Sequence, residues 1–413
     1  MKRTLLLALI LLSIGNLRAQ QVDLQYFIDK ALSNSPLLKD IMNRQRANEI
    51  DSMRIRAGFG PQVNAVSNNY YAPVIKGWGY DEVVTDKANI SAQVSVAQEL
   101  IGRLNRENQY RALTVQNHSL QNEQKITEQE LIRDISDQYI ITYGDWQNLG
   151  FNEQVLTLLS KEEVILKKLT ESNVYRQTDY LTFLLTVKDQ EYKYASSLSQ
   201  YRNDLATLNY LCGIEDTVTV ILNDPEIAVS NLPDIRNSVF YQSFVNDSLM
   251  YLIEDKQIDF EYKPKISLFT DAGYYSSLYY QPWKNFGVSA GISLSVPIYD
   301  GHQKKMQHDR VTISEQTLQS YRDFYLKQYY QQISRLFAQL DDNIKLNGIL
   351  NKQLEYSNTL INANHKLLET GDLQIADYVI AVNNLLSVRN ESVKNKIEQY
   401  IIINHINYWN RIK

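Results

Sequence analysis

Apolar positions along this chain follow two different periods, which succeed each other in a fixed order. In DLQYFIDKALSNSPLLKDIMNRQRANEIDSMRIRAGFGPQ (23–62), Leu24, Phe27, Ile28, Ala31 and Leu32, then Leu38, Ile41 and Met42, recur at the three-and-four spacing of a helix face. Gly58, Gly60 and Pro61 predict its end. Period two follows: Ala88, Ile90, Ala92, Val94 and Val96 alternate with Asn89, Ser91, Gln93 and Ser95, a strand with one apolar and one polar face. From Leu100 to about Glu171 no proline intervenes, and a second helix runs from Thr178 to Leu211.

The second half repeats this plan. Residues 238–261 read as a helix, Pro264 as a break, and 265–275 and 286–296 as strands. In the latter, Phe286, Val288, Ala290, Ile292, Leu294 and Val296 alternate with glycine and serine. Helices are expected over 302–369 and 374–411. Asp179-Tyr180 and Asn209-Tyr210 match Asp377-Tyr378 and Asn407-Tyr408 at one offset, 377−179 = 407−209 = 198. Gly102 and Gly301 differ by 199, so both mark a strand-to-helix turn; Pro297 ends the ladder pairing before the second one.

A helix of about 70 residues rises on the order of 100 Å and must pack sideways on similar helices. Positions 180, 184, 187, 191, 194, 198, 201, 205 and 208 step by four and three, the repeat of a left-handed coiled coil. Glu191 interrupts that seam, and its counterpart in the second copy is Arg389.

The N-terminus adds a compartment. Lys2 and Arg3 precede the apolar run Leu5–Leu12, with a cut expected after Ala19, an export signal. Removing it takes away Lys2, Arg3 and Arg18, moving the net charge from −5 to 39 − 47 = −8, which gives no support for nucleic-acid binding. Cys212 is the only cysteine, so no intrachain disulfide forms. Since no later segment has the ~18 apolar residues of a spanning helix, any membrane contact must be made by strands. Tyr70-Tyr71, Tyr274-Tyr275 and Tyr279-Tyr280, with Trp78 and Trp283, sit at the hairpin tips, where an interfacial girdle would lie. Four strands cannot close a barrel, and an open edge in lipid is costly, so three chains giving twelve strands is the simplest closed arrangement.

ALSNSPLL and the helix ending RAGFGPQV, LSVPIYDGHQKKMQ, and LLETGDLQIADYVIA, with first-copy counterparts VSVAQELIGR and NVYRQTDYL, resemble the TolC-like outer-membrane efflux family across essentially the whole mature chain. The resemblance implies a mainly α fold with membrane β structure: a trimeric 12-strand β-barrel in the outer membrane and a long α-helical barrel through the periplasm. It implies a signal peptide at 1–19, a leading helix at 20–60, membrane hairpins at 61–99 and 263–300, and periplasmic helical hairpins at 100–214 and 301–413. A linker and short helix fill 215–262. The expected partners are two further copies, a periplasmic adaptor, an inner-membrane pump and outer-membrane lipid, with no nucleic acid and no cofactor.

In that family, acids beyond the hairpin tips narrow the tunnel mouth. Asp377 falls on the first such position and Asp179 on the first-copy acid that helps latch the closed end. The second constriction acid falls on Ile380, and the latch partners fall on Leu368 and Leu373, so a different contact must hold the mouth; Asp372 beside Gly371 adds charge. Asp179 and Asp377 also suit helix N-terminal capping. The tips, with Asn173, Val174 and Tyr175 on one and Gly371, Leu373 and Gln374 on the other, are where an adaptor would touch. An enzyme is not expected: the phosphate-loop, nucleophile-elbow and zinc-protease motifs are absent, and His118, His302, His308, His365 and His405 lack metal spacing with acids. The other class of reading is a soluble periplasmic coiled-coil adaptor or spacer, which leaves the hairpins without a purpose.

Overall fold

The structure, a computed structural model, describes residues 21–73, 75–80, 87–100, 102–215, 220–230, 234–278 and 281–410. The expected export signal and Tyr279-Tyr280 lie outside them. The chain is mainly helical with a small antiparallel sheet and divides into two units: residues 1–39, 125–239 and 326–413, and residues 40–124 and 240–325. In chain order the elements are β1 (Gln21–Val22), α1 (Leu24–Asn34), α2 (Pro36–Gly58), β2 (Gln62–Val66), β3 (Asn69–Ala72), β4 (Lys87–Glu99), α3 (Arg103–Glu171), α4 (Gln177–Cys212), β5 (Ile221–Leu222), α5 (Val239–Glu261), β6 (Lys265–Ser276), β7 (Phe286–Ser295), α6 (Gln303–Thr370) and α7 (Ile375–Asn410). Two three-residue turns of 3₁₀ helix complete them.

The helix expected over 23–62 is two helices. Proline disfavours helical backbone in the residue before it, and Ser35 sits at ψ 119 while its N–H caps Ala31 O. Pro36 then occupies the first position of α2, where a missing N–H costs nothing.

In the 40–124/240–325 unit, the sheet runs β2-β4-β6-β7, with β3 also on β4. β2 and β3 act as one strand interrupted at Ser67-Asn68. There the Ser91 hydroxyl donates to Asn68 O and accepts from Asn68 N, both at 3.0 Å. Register sorts the faces. Val63–Val96–Thr270–Ala290 and Ala65–Val94–Ala272–Val288 are cross-strand rows on one side, extended by Leu268–Ile292 and Ile266–Leu294. Ser95–Asp271–Ser289 and Glu99–Ser267–Ser293 lie on the other. On that polar side the Phe269 ring covers Gly291, where a Cβ would come within 2.6 Å of it.

Beneath the sheet, side-chain amides bind helices together. Asn48 donates to Leu113 O at 3.1 Å, and Asn108 to Ile253 O at 3.2 Å. His308 joins α6 to α5 through Asp255 at 2.5 Å, and Lys304 reaches Asp259 at 2.8 Å.

The other unit holds three apolar clusters. One gathers Leu159, Leu166, Phe183, Leu368 and Tyr378 near the helical turns, a second Phe27, Ile135, Tyr139, Tyr201, Leu208 and Cys212, and a third Leu336, Leu340, Ile402, Ile403 and Ile406. Along α4, Val187, Tyr201, Leu205 and Leu208 of the expected seam are buried. At the interruption, Glu191 turns outward to Lys188 at 2.8 Å. Its neighbour Gln190 is buried instead and donates to Asn152 O at 3.1 Å, while Arg389 lies over the Phe151 ring. No contact joins Glu191 to Arg389 among the described residues.

Tyrosine's abundance has a use here: rings enter the core while hydroxyls bond a crossing segment. The Tyr139 hydroxyl donates to Asn223 O at 2.8 Å, and the Tyr201 hydroxyl to Val220 O. Asn407 fixes the next stretch, donating to Ala228 O at 2.8 Å and accepting from Ser230 N at 2.9 Å.

Candidate functional site

The two helical turns differ in chemistry. α3 ends with Asn173 at φ 59 and the Val174 N–H bonded to Leu169 O. α6 ends with Gly371 at φ 83 and the Asp372 N–H bonded to Leu367 O. Both are helix ends closed by a left-handed residue; asparagine tolerates that conformation and glycine adopts it freely. The turns touch. The Leu373 N–H donates to the Tyr175 hydroxyl at 3.2 Å, and the Val174 side chain would stand 2.8 Å from a Cβ at Gly371. So Val174, Tyr175, Gly371 and Leu373 come together, while Asn173 and Gln374 remain exposed.

Of the three acids, Asp372 and Asp377 are exposed and Asp179 is half-buried. Asp179 accepts from the Arg176 N–H at 3.2 Å, as an N-terminal capping acid does. Asp377 stands in the first turn of α7, its N–H bonded to Gln374 O. No side chain bonds to the carboxylates of Asp372 or Asp377 among the described residues. Leu368 and Leu373, where the resemblance placed latch partners, are buried in the apolar cluster.

Three polar arrangements in this unit carry no signal in the sequence, because their partners are far apart in the chain. Glu162 of α3, with no exposed side-chain surface, meets His365 Nδ1 at 2.9 Å. Asp224 accepts from Lys396 Nζ at 2.9 Å, the Tyr400 hydroxyl at 2.7 Å and the Tyr143 hydroxyl at 3.2 Å. Burial alone would raise its pKa, but Lys396, Tyr400 and the Glu226 N–H bring it to about 2. Burial raises the Asp145 pKa to about 8, and the neighbouring Asp204 carboxylate adds to the rise. Asp145 lines a polar cavity of about 620 Å³ with Asn148, Asn152, Gln200, Asn383 and Asn390.

At the sheet, the strand-to-helix turn combines Pro297, Gly301 at φ 64 and Asp300, whose carboxylate accepts from His302 N at 2.9 Å and Lys304 N at 2.7 Å. Gly102 faces the Phe59 ring, 2.7 Å from where its Cβ would be. On the apolar face of β7, Val288 is 79% exposed, Ile292 70% and Leu294 62%. A folded sheet that leaves such a row to solvent has a further surface to meet. No helix among the described residues is long and apolar enough to cross a membrane, and none of their side chains form a group of three or more metal-ligating residues.

No protein-family model and no curated protein matches the sequence. Solved structures do match. A membrane protein from Pseudomonas aeruginosa superposes with TM-score 0.74 at 14% identity, covering 95% of this chain and 91% of that one. The outer membrane protein VceC from Vibrio cholerae gives 0.73 at 12%, covering 94% and 96%. The open state of the Neisseria gonorrhoeae MtrE outer membrane channel gives 0.71 at 14%, covering 94% and 88%. At these identities the likeness establishes the fold: this chain has the TolC-like fold of outer-membrane channels.

Proposed function

We propose that three copies of this chain form an outer-membrane channel, a passive exit duct that docks through its helical tips on a periplasmic adaptor and an inner-membrane pump. The observation that carries the reading is the two-faced sheet. One face is apolar and exposed across β2, β4, β6 and β7; the other carries Ser95, Asp271, Ser289 and Ser293. Strands of 13, 12 and 10 residues in β4, β6 and β7 suit a tilted bilayer crossing. β2 and β7 end the sheet, and a lone sheet with two edges has no place in hydrocarbon. Closure by three copies gives each edge a partner, the apolar face to lipid and the polar face to the lumen.

In this reading Asp377, Asp179 and Asp372 ring the periplasmic mouth, where three-fold symmetry triples each charge. Asn173, Val174, Tyr175, Gly371, Leu373 and Gln374 present the adaptor surface, and Pro297, Gly301 and Gly102 turn the chain out of the membrane. The likeness to channel structures supports the assembly. The test is the mass of the complex extracted in detergent from an outer-membrane fraction. A trimer that conducts ions in a planar bilayer is expected; a soluble monomer or dimer would overturn the reading.

A further inference from the structure

We propose that Glu162, His365 and Tyr378 form a proton-dependent pin between the two helical hairpins, set just inside the tips, which holds them together while its proton is bound and loosens as rising pH removes it. The pin is a property of the chain's own fold; only its consequence, a mouth that responds to pH, rests on the duct reading.

The three residues come from three helices. Glu162 lies on α3 of the first hairpin, His365 and Tyr378 on α6 and α7 of the second. The Glu162 side chain has no exposed surface, and its Oε1 meets His365 Nδ1 at 2.9 Å. Its Oε2 is buried without a hydrogen bond, and so is the Tyr378 hydroxyl, which faces the same carboxyl without reaching good hydrogen-bond geometry. Leu159, Leu166, Phe183 and Leu368 form the surrounding cluster. A carboxyl in such a place is a liability for packing, since an apolar residue would fill it more cheaply. It is tolerable only while the pair stays neutral.

Neutrality requires one proton shared between carboxyl and imidazole, either as carboxylate with imidazolium or as acid with neutral imidazole. Loss of that proton leaves a net negative charge in an apolar cluster that ties the hairpins together. The groups facing the pair can be named from each side. From α6 come His365 and, 3.8 Å from its Nε2, Glu369. From α7 comes the Tyr378 hydroxyl. From α4 comes Phe183, whose ring stacks on Tyr378 at 5.9 Å, and no ionisable group bonds to the pair from there among the described residues. Burial raises the Glu162 pKa more than its contacts with Tyr378 and His365 lower it. With a folded-state value above the unfolded one, docked hairpins bind the proton more tightly than separated ones. Docking is therefore held while that proton is bound and weakens as pH rises through the folded value.

The test is hydrogen exchange of segments 159–183 and 361–378 in the detergent-extracted protein at pH 6 and pH 9. Labelling times are scaled for intrinsic exchange, and the segment around Tyr139 serves as the internal standard. Protection at the tips is expected to fall about tenfold relative to the standard on going to pH 9. Glu162→Gln, which keeps the shape without the charge, is expected to hold its protection at both pH values. Tips equally protected at both pH values, or a Glu162→Gln protein that still responds, would overturn the pin. Exchange does not require conduction, so a protein that fails to conduct counts against the duct and leaves the pin to its own result.

Discussion

Asn343 and Asn395 hold α6 and α7 in register by trading amides across the helix interface. Asn343 Nδ2 donates to Asn395 O at 3.1 Å and to its Oδ1 at 2.9 Å, and Asn395 Nδ2 donates back to Asn343 O at 3.2 Å. Both residues are buried. Gln190 does the same for the first hairpin, donating to Asn152 O at 3.1 Å and Oδ1 at 2.9 Å. Long helices packed on leucine-like surfaces can slide by a turn at little cost. A buried amide that finds its partner in only one alignment removes that freedom, as a polar residue in a coiled-coil seam does.

Replacing Asn395 by Ala is therefore expected to destabilise the second hairpin by about 1–3 kcal/mol, the cost of a buried amide left without a partner. Removing Asn343 as well should cost less than the sum of the single losses, because each amide is bound chiefly by the other. Chemical unfolding of the detergent-extracted protein, followed by circular dichroism, measures both. Strictly additive losses would show that the two amides are not coupled.

The exposed apolar row of β7 gives a second expectation. Ile292 is 70% exposed and in register with Leu268, at the middle of the apolar face. Ile292→Arg should block stable membrane assembly, at a cost of ~2–4 kcal/mol for a charge at the bilayer midplane, while Ser293→Arg on the opposite face is tolerated. Fractionation of cells expressing each variant distinguishes them. Normal assembly of Ile292→Arg would mean that this face does not meet lipid.

The sheet and helices were legible in the sequence because each has a strict period: two in β4 and β7, three-and-four in α1 and α4. Two local features departed from it for physical reasons. Pro36 split the leading helix, its effect on Ser35 outweighing continuous apolar spacing. The heptad count placed Glu191 in the seam, whereas Gln190 is buried there, since an amide can bond Asn152 and a carboxylate pairs more cheaply with Lys188 in water. At the tips, turn chemistry marked Gly371 and Asp179, yet nothing local joins Tyr175 to Leu373, which are 198 residues apart. The Glu162–His365 and Asp224–Lys396 contacts are hidden for the same reason, with partners 203 and 172 residues apart.

Asp224 predicts an acid limit. Its folded-state pKa, about 2, lies below the ordinary carboxylate value, so its contacts with Lys396 and Tyr400 contribute stability above the unfolded pKa. That contribution is lost as pH falls from about 5 towards 2. The wild type should lose more thermal stability between pH 7 and pH 3 than Asp224→Asn, which begins lower at pH 7 and converges with it in acid. Parallel pH profiles for the two proteins would remove Asp224 from the acid response.

Asp377 tests the mouth itself. At the start of α7, one turn beyond the contact between Tyr175 and Leu373, its carboxylate has no side-chain partner among the described residues. Three such groups around a symmetric axis would attract multivalent cations and retard their passage. Asp377→Ala is expected to raise single-channel conductance and to weaken block by a multivalent cation by about tenfold, the equivalent of ~1.4 kcal/mol of lost attraction. Asp179→Ala should act differently, because that carboxylate is already engaged with the Arg176 N–H; its removal loosens the start of α4 by ~0.5–2 kcal/mol. Planar-bilayer recordings across a cation titration separate the two. Unchanged conductance and unchanged block in Asp377→Ala would take this residue out of the constriction and leave it as a helix-terminal charge.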